Sequence, residues 1–281
     1  MEIEEHKVHV EDVPIRYLSV GSGPALLLLH GIGDSASDWM PVMRELSRTW
    51  SIFAPDMPFA AGWGDGQDYT PENLSRFVLS FLRAVRVARC VIVGHSAGGM
   101  AAIGLALEKP DLVRALVLVA SSGLGREIHP AMVAQAAPLW GDLAIGLAQT
   151  PVGSLQRALF RSQLLFSRPG LAPMQWWAEQ YRLSLEPSFL PAVLDALRTS
   201  TGPLGQKIIL LEQLPGLKMP VLLIWGTLDQ VVPVFQAEDA LDYLTDGRLA
   251  VIPGSGHMPH VESPAACAEE ITRFAAENIR V

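Results

Sequence analysis

A short apolar strand that breaks on a glycine-framed serine and resumes as a small-residue helix leaves few folds open to this chain. Residues 90–93 are apolar and mostly β-branched, as suits a strand covered on both faces. Residues 97–107 are rich in Ala, Leu and Ile and read as a buried helix. Between them Gly94-His95-Ser96-Ala97-Gly98 fits Gly-x-Ser-x-Gly. Glycines two before and two after the serine let strand and helix approach without a clash. The hydroxyl then points out of the sheet, above a helix N-terminus whose unpaired N–H groups favour negative charge. A glycine-rich turn with an idle serine has the same five letters, so the rest of the chain must supply the partners.

The rest of the chain alternates. Strands are predicted at residues 7–10, 13–20, 25–29, 50–54, 90–93, 115–120, 221–225 and 249–252, with helices between most of them. Ser37 or Asp38 is the expected cap of a helix reaching about Ser47, and Thr70 with Pro71 opens another that runs to Val85. This order implies an α/β fold, a mostly parallel twisted sheet of about eight strands with helices on both faces and an antiparallel edge from the leading pair. Strands pause between residues 124 and 219, where a proline-punctuated helical pattern predicts an insertion over the sheet's C-terminal edge, the place where open α/β sheets bind ligands. The expected division is a core of residues 1–123 and 220–281 and a helical cap of residues 124–219.

Net charge of −8 argues against nucleic acid as a partner and makes an anionic membrane an unsuitable one. The two cysteines, Cys90 and Cys267, have neither metal spacing nor a disulfide framework. The first residues lack the basic and apolar parts of a signal peptide, and no apolar run approaches membrane-spanning length. The expectation is a cytoplasmic protein without stable membrane insertion, monomeric or homodimeric.

A serine nucleophile needs a base, and the base needs an acid to fix its tautomer. His257, in the small-residue loop Pro253-Gly254-Ser255-Gly256-His257-Met258-Pro259, is the favoured base; His260 is its competitor. Asp229, after Trp225-Gly226-Thr227-Leu228 at a strand end, is the favoured acid, with Asp56 its rival. The order Ser, Asp, His along the chain favours Asp229. Backbone N–H groups of Ala97 and Ile32 are placed to form an oxyanion hole, with His30 bracing the loop. Of the insertion's aromatic residues, Trp140, Trp176, Trp177 and Tyr181 are expected, with Met258, to line an apolar substrate pocket.

Together His30-Gly31-Ile32-Gly33, Gly94-His95-Ser96-Ala97-Gly98-Gly99, Trp225-Gly226-Thr227-Leu228-Asp229 and Gly256-His257-Met258-Pro259-His260-Val261-Glu262 resemble the α/β-hydrolase superfamily, in its capped serine esterase and lipase-like branch. The resemblance implies a cap domain, no cofactor and an acyl-enzyme intermediate. Ser96 stands where haloalkane dehalogenases and epoxide hydrolases carry aspartate, which disfavours those activities. Carbon–carbon hydrolases of ring-cleavage products often carry asparagine before the serine and tryptophan after the histidine; this chain has His95 and Met258. The loop after Asp56 departs from the family's Asp-x-x-Gly-x-Gly-x-Ser, reading Met57-Pro58-Phe59-Ala60-Ala61-Gly62-Trp63-Gly64.

The expected function is hydrolysis of small hydrophobic carboxylic esters with an apolar acyl or aryl group. Alternatives are a meta-cleavage type carbon–carbon hydrolase and a slow-turnover ligand-binding protein that kept the triad. A nicotinamide oxidoreductase is a further class, because Gly31-Ile32-Gly33-Asp34-Ser35-Ala36 fits Gly-x-Gly-x-x-Ala and Asp56 ends the following strand. That class leaves Ser96, Asp229 and His257 without a joint role.

Overall fold

The computed structural model describes residues 1–61 and 68–278. The glycine-rich centre of the loop after Asp56, residues 62–66, lies outside them. Eight strands form one sheet: β1 (Glu4–Val10), β2 (Val13–Val20), β3 (Ala25–Leu29), β4 (Ser51–Pro55), β5 (Cys90–His95), β6 (Val113–Val119), β9 (Val221–Gly226) and β10 (Gly247–Ile252). Their spatial order is β1-β2-β4-β3-β5-β6-β9-β10. The β1–β2 and β2–β4 pairs are antiparallel and every other pair is parallel. The antiparallel edge is the leading pair, as expected. A separate two-residue ladder joins β7 (Thr201–Gly202) to β8 (Gly205–Gln206).

Period-two alternation decides which helix covers which side chain. Leu27, Leu29, Ile92, Leu116, Leu118, Leu223 and Trp225 point to one face. There they meet α3 (Pro71–Ala84), α4 (Ala97–Glu108) and α10 (Phe235–Leu241). Leu26, Leu28, Val91, Val93, Val117, Leu222 and Ile224 point to the other, against α1 (Met40–Leu46) and α12 (Pro264–Asn278). Continuous apolar strands are therefore buried on both sides, which is why they read as unbroken runs.

The helical stretch after β3 starts earlier than its sequence suggests, at Ala36. Ser35, not Ser37 or Asp38, is the cap: its Oγ accepts the Ser37 N–H, and Asp38 accepts the Ser35 N–H in return. This reciprocal pair winds residues Ala36–Trp39 into a 3₁₀ turn before α1 begins. Pro41, which has no N–H to place, fits the first turn of α1. Short α2 (Pro58–Ala61) and α11 (Pro259–Glu262) are single turns after β4 and β10.

Between β6 and β9 lie α5 (Pro130–Ala136), α6 (Trp140–Ala148), α7 (Pro151–Leu165), α8 (Met174–Leu185) and α9 (Phe189–Ser200). The insertion rests on loops at the carboxyl ends of the strands. Arg161 Nη2 donates to Asp34 Oδ1 at 2.6 Å, and Gln180 Nε2 donates to the Gly33 carbonyl at 3.2 Å. The Ser35 hydroxyl donates to Glu179 Oε1 at 2.7 Å. Among the described residues no single helix is long and apolar enough to cross a membrane.

Candidate active site

Because the central strands are parallel, β3, β5, β6, β9 and β10 end at one edge, and so do the loops after them. Ser96 stands at the end of β5 with φ 51° and ψ −119°. For a residue with a Cβ this backbone costs roughly 1–3 kcal/mol, and it persists because its surroundings permit no other path. A Cβ on Gly94 would sit 2.4 Å from the Gly98 carbonyl oxygen, and one on Gly98 would sit 2.3 Å from that of Leu29. Only glycines at both positions allow the strand, the helix and the neighbouring strand to close on the serine.

Asp229 and His257 meet across the ends of β9 and β10. The Asp229 carboxylate is buried. Its Oδ1 accepts the main-chain N–H groups of Val231 and Val232 at 2.8 and 3.0 Å. That leaves Oδ2 for His257 Nδ1, 2.9 Å away. A carboxylate only accepts, so the proton of the neutral imidazole is on Nδ1 and Nε2 is free to act as a base. The Ser96 hydroxyl is hydrogen-bonded to Ser122 Oγ at 3.3 Å rather than to the imidazole. The Ser122 N–H also donates to the Ser96 carbonyl, at 3.1 Å.

The rival residues have other work. Asp56 pairs with Arg16 at 3.1 Å and accepts the Ala36 N–H at 2.9 Å, so it ties β2 and the turn after β3 to the end of β4. His260 is buried between Trp39 and His95, with ring centroids 4.4 and 4.5 Å away. Neither of its ring nitrogens has a hydrogen-bond partner among the described residues. Burial and the neighbouring His257 and His30 push its pKa down to about 3. With no acid to fix its tautomer, it is not built as a base.

Two further histidines act as braces. His30 Nε2 accepts the Met57 N–H at 2.8 Å, which puts its proton on Nδ1, 2.9 Å from the Gly31 carbonyl. His95 does not merely point away from Ser96: its Nε2–H donates to the His257 carbonyl at 2.9 Å. Burial pushes both imidazoles below the ordinary histidine value, so they serve as neutral struts.

The loop expected to supply oxyanion donors lies beside the serine. A Cβ on Gly31 would sit 3.0 Å from the Ser96 Cβ, which places the loop of residues 30–33 against the elbow. The Ile32 N–H makes no hydrogen bond among the described residues, and Ala97 opens α4, where the first N–H groups have no partner within the helix.

The five expected pocket residues are placed differently from one another. Trp176 is buried, edge-on to Phe166 at 4.9 Å and to Trp177 at 5.4 Å. Trp176 and Met258 belong to the same buried cluster as Ala97, Met100 and Phe166, and Trp177 packs against it. Tyr181 is half-buried on α8. Trp140, in contrast, is 66% exposed at the start of α6. Aromatic content alone does not say which residues of the insertion face inward; this one lies on its outer surface.

Three participants escape the sequence patterns. Ser122 comes after β6 without any motif around it, and only the parallel pairing of β5 with β6 brings it to Ser96. Glu262 lies in the histidine-loop motif, but no local pattern gives it a task. Its Oε1 accepts the Ser167 N–H and hydroxyl at 2.9 and 2.8 Å, and its Oε2 accepts the Gly256 N–H at 2.5 Å. Leu165, the last residue of α7, accepts the His257 N–H at 2.8 Å.

A strained serine between a strand and a helix, a buried Asp–His pair and unpaired N–H groups thus gather at one sheet edge. The alpha/beta hydrolase family matches residues 26–270, and this chain belongs to it. The chain is 30% identical over 269 residues to the pimeloyl-[acyl-carrier protein] methyl ester esterase of Nitrosomonas europaea, covering 92% of this chain and 95% of that one. It is 28% identical over 288 residues to the 2-hydroxy-6-oxo-6-(2'-aminophenyl)hexa-2,4-dienoic acid hydrolase of Metapseudomonas resinovorans, covering 96% and 90%. Among solved structures, a bacterial membrane phospholipase A superimposes with a TM-score of 0.80 at 26% identity, over 99% of this chain and 87% of that one.

Proposed function

We propose that this alpha/beta hydrolase cleaves carboxylic esters with an apolar acyl or aryl group through an acyl-enzyme intermediate. The observation that carries the reading is the division of labour in Asp229: two backbone N–H groups hold one carboxylate oxygen, and the other faces His257 Nδ1. Rotation of the Ser96 hydroxyl from Ser122 to His257 Nε2 primes the attack. As Ser96 Oγ bonds to the ester carbonyl carbon, His257 takes the hydroxyl proton, and the carbonyl oxygen becomes an oxyanion held by the Ile32 and Ala97 N–H groups. Collapse expels the alcohol, which receives the proton from His257. Water, deprotonated by His257, then attacks the acyl carbon and returns Ser96. The apolar acyl or aryl preference is supported by Met258 and Trp176 sharing a buried cluster with Ala97.

A panel of nitrophenyl esters tests this reading. Turnover should favour medium-chain and aryl esters over acetate; equal rates on all of them would remove the apolar-pocket element.

Carbon–carbon hydrolysis is the second reading, because one relative sharing nearly the whole chain is named for a hexadienoic acid substrate. A vinylogous 1,5-diketone separates the two: cleavage faster than that of any ester favours the second. A burst succeeded by a stalled adduct would instead indicate a binding protein that retained the triad.

A further inference from the structure

The insertion forms a half-open cavity of about 320 Å³ walled by α5, α6, α7 and α9. Its walls are mostly apolar, with Ile145, Leu190, Val193, Leu194, Leu197 and Phe160 among them. Gln135 and Gln156 are neutral polar residues of the wall, and Arg157 is its one charged residue among those described. None of the residues lining it belongs to the Ser96, Asp229 and His257 set, so a ligand site here stands independently of the ester-hydrolase reading.

Arg157 forms no ion pair within 4 Å among the described residues, although it feels the charge of Asp34. Its Nη1 donates to Gln180 Oε1 and Ser184 Oγ at 2.9 and 3.0 Å, both neutral. Its Nη2 is buried and has no hydrogen-bond partner among the described residues. The guanidinium carbon lies 5.4 Å over the Phe189 ring. The neighbouring cation on the same helix, Arg161, is already matched by Asp34 at 2.6 Å. A buried charge without a partner is costly, and arginine is the side chain whose planar fork matches a carboxylate. Burial and the Arg161 charge lower its pKa, while the Asp34 charge acts the other way.

We propose that this cavity binds a single-chain aliphatic carboxylate, its chain against the apolar walls and its carboxylate on Arg157. The volume lies at the small end of ligand cavities, which suits a medium-length chain rather than a two-chain lipid. Entry is provided on the exposed side, where Leu147 and Phe160 both line the cavity and face solvent. An anion there lies one hydrogen bond from Gln180, whose amide also reaches the Gly33 carbonyl.

The test is calorimetric titration of the full chain with octanoate and, separately, with 1-octanol. Octanoate should bind one per chain at least tenfold more tightly than the alcohol. Arg157→Gln should weaken octanoate at least tenfold while leaving 1-octanol within twofold. Ala144→Trp, at the cavity wall, should abolish both. Ser96→Ala should bind octanoate as wild type does, so a failed esterase assignment leaves this result readable. Equal affinity for acid and alcohol in the wild-type chain overturns the proposal. Unchanged octanoate binding by Arg157→Gln and Ala144→Trp does so too. If Arg157→Gln fails to fold, the comparison of acid with alcohol on the wild-type chain decides.

Discussion

The main-chain N–H of His257 donates to the carbonyl of Leu165 at 2.8 Å, joining the loop of the proposed base to the last residue of an insertion helix. Glu262 reinforces the same joint by holding Ser167 on one side and Gly256 on the other. The insertion is therefore tied to the His257 loop: displacing the end of α7 displaces His257. Hydrogen bonds to a charged group contribute about 2 kcal/mol each, so Glu262→Ala should lower unfolding stability by about 2–3 kcal/mol after partial compensation by water. Its kcat should fall while KM changes little, and Glu262→Gln should recover part of both. Denaturant unfolding and ester kinetics on the three proteins check this. Reduced stability with full kcat would show that the joint holds the fold but not the base.

Asp229→Asn tests the tautomer argument. Asparagine can keep both backbone hydrogen bonds through its oxygen and then turns an N–H toward His257 Nδ1. The imidazole would carry its proton on Nε2 and lose its function as base. Turnover should fall by about 10³–10⁴ with stability close to wild type. Circular dichroism and steady-state kinetics measure both, and a loss below tenfold would contradict the role given to the carboxylate.

Two glycine-to-alanine changes should have opposite signs. At Gly98 the new methyl would stand 2.3 Å from the Leu29 carbonyl oxygen, where α4 meets the end of β3, with backbone that cannot yield. More than about 4 kcal/mol of destabilisation is expected, enough to leave little folded protein. At Gly146, inside α6, a methyl meets nothing within 4 Å. There alanine should stabilise by about 0.5–1 kcal/mol through helix propensity. Thermal melts of both variants give the two signs, and destabilisation at Gly146 or a neutral Gly98→Ala would contradict the packing described.

The buried histidines set an acid limit. In the unfolded chain a histidine takes its proton near pH 6.5, whereas His260 in the fold takes one only near pH 3. Between those values unfolding binds a proton. Stability is therefore complete above pH 6.5 and falls as the pH drops toward 3, by about 1.4 kcal/mol per pH unit for each such group. His30 and His95 are shifted in the same direction. Replacing His260 by Phe keeps a ring against Trp39 and removes one of these protons. Urea unfolding at pH 5 and pH 7 should then differ by about 1–2 kcal/mol less in His260→Phe than in wild type. An identical difference in the two proteins would contradict this account of the cluster.

How legible each feature is in the sequence depends on how local its signal is. The two-face burial of β3, β5, β6 and β9 is written in uninterrupted apolar runs, and the Ser96 elbow in glycines that sterics demand. The pairing of Asp229 with His257 can be read because each lies in a loop just past a recognisable strand. Ser122 cannot, because its importance comes only from the register of two parallel strands. Glu262 meets Ser167, and Leu165 meets His257, through the placement of the insertion, which no local pattern encodes. Trp140 shows the reverse failure: the aromatic content of an insertion does not say which of its aromatic residues faces inward. The nucleotide-like spacing at Gly31 loses its meaning for a physical reason, since Asp56 is held by Arg16 and the Ala36 N–H.

The central claim is that Ser96 is the nucleophile, and the most direct measurement is covalent labelling with a fluorophosphonate, read by intact mass and peptide mapping. One adduct per chain, on Ser96, is predicted. Ser96→Ala should take none and should hydrolyse nitrophenyl esters at least about 10³-fold more slowly than wild type. An adduct at another serine, or wild-type turnover by Ser96→Ala, would contradict the account.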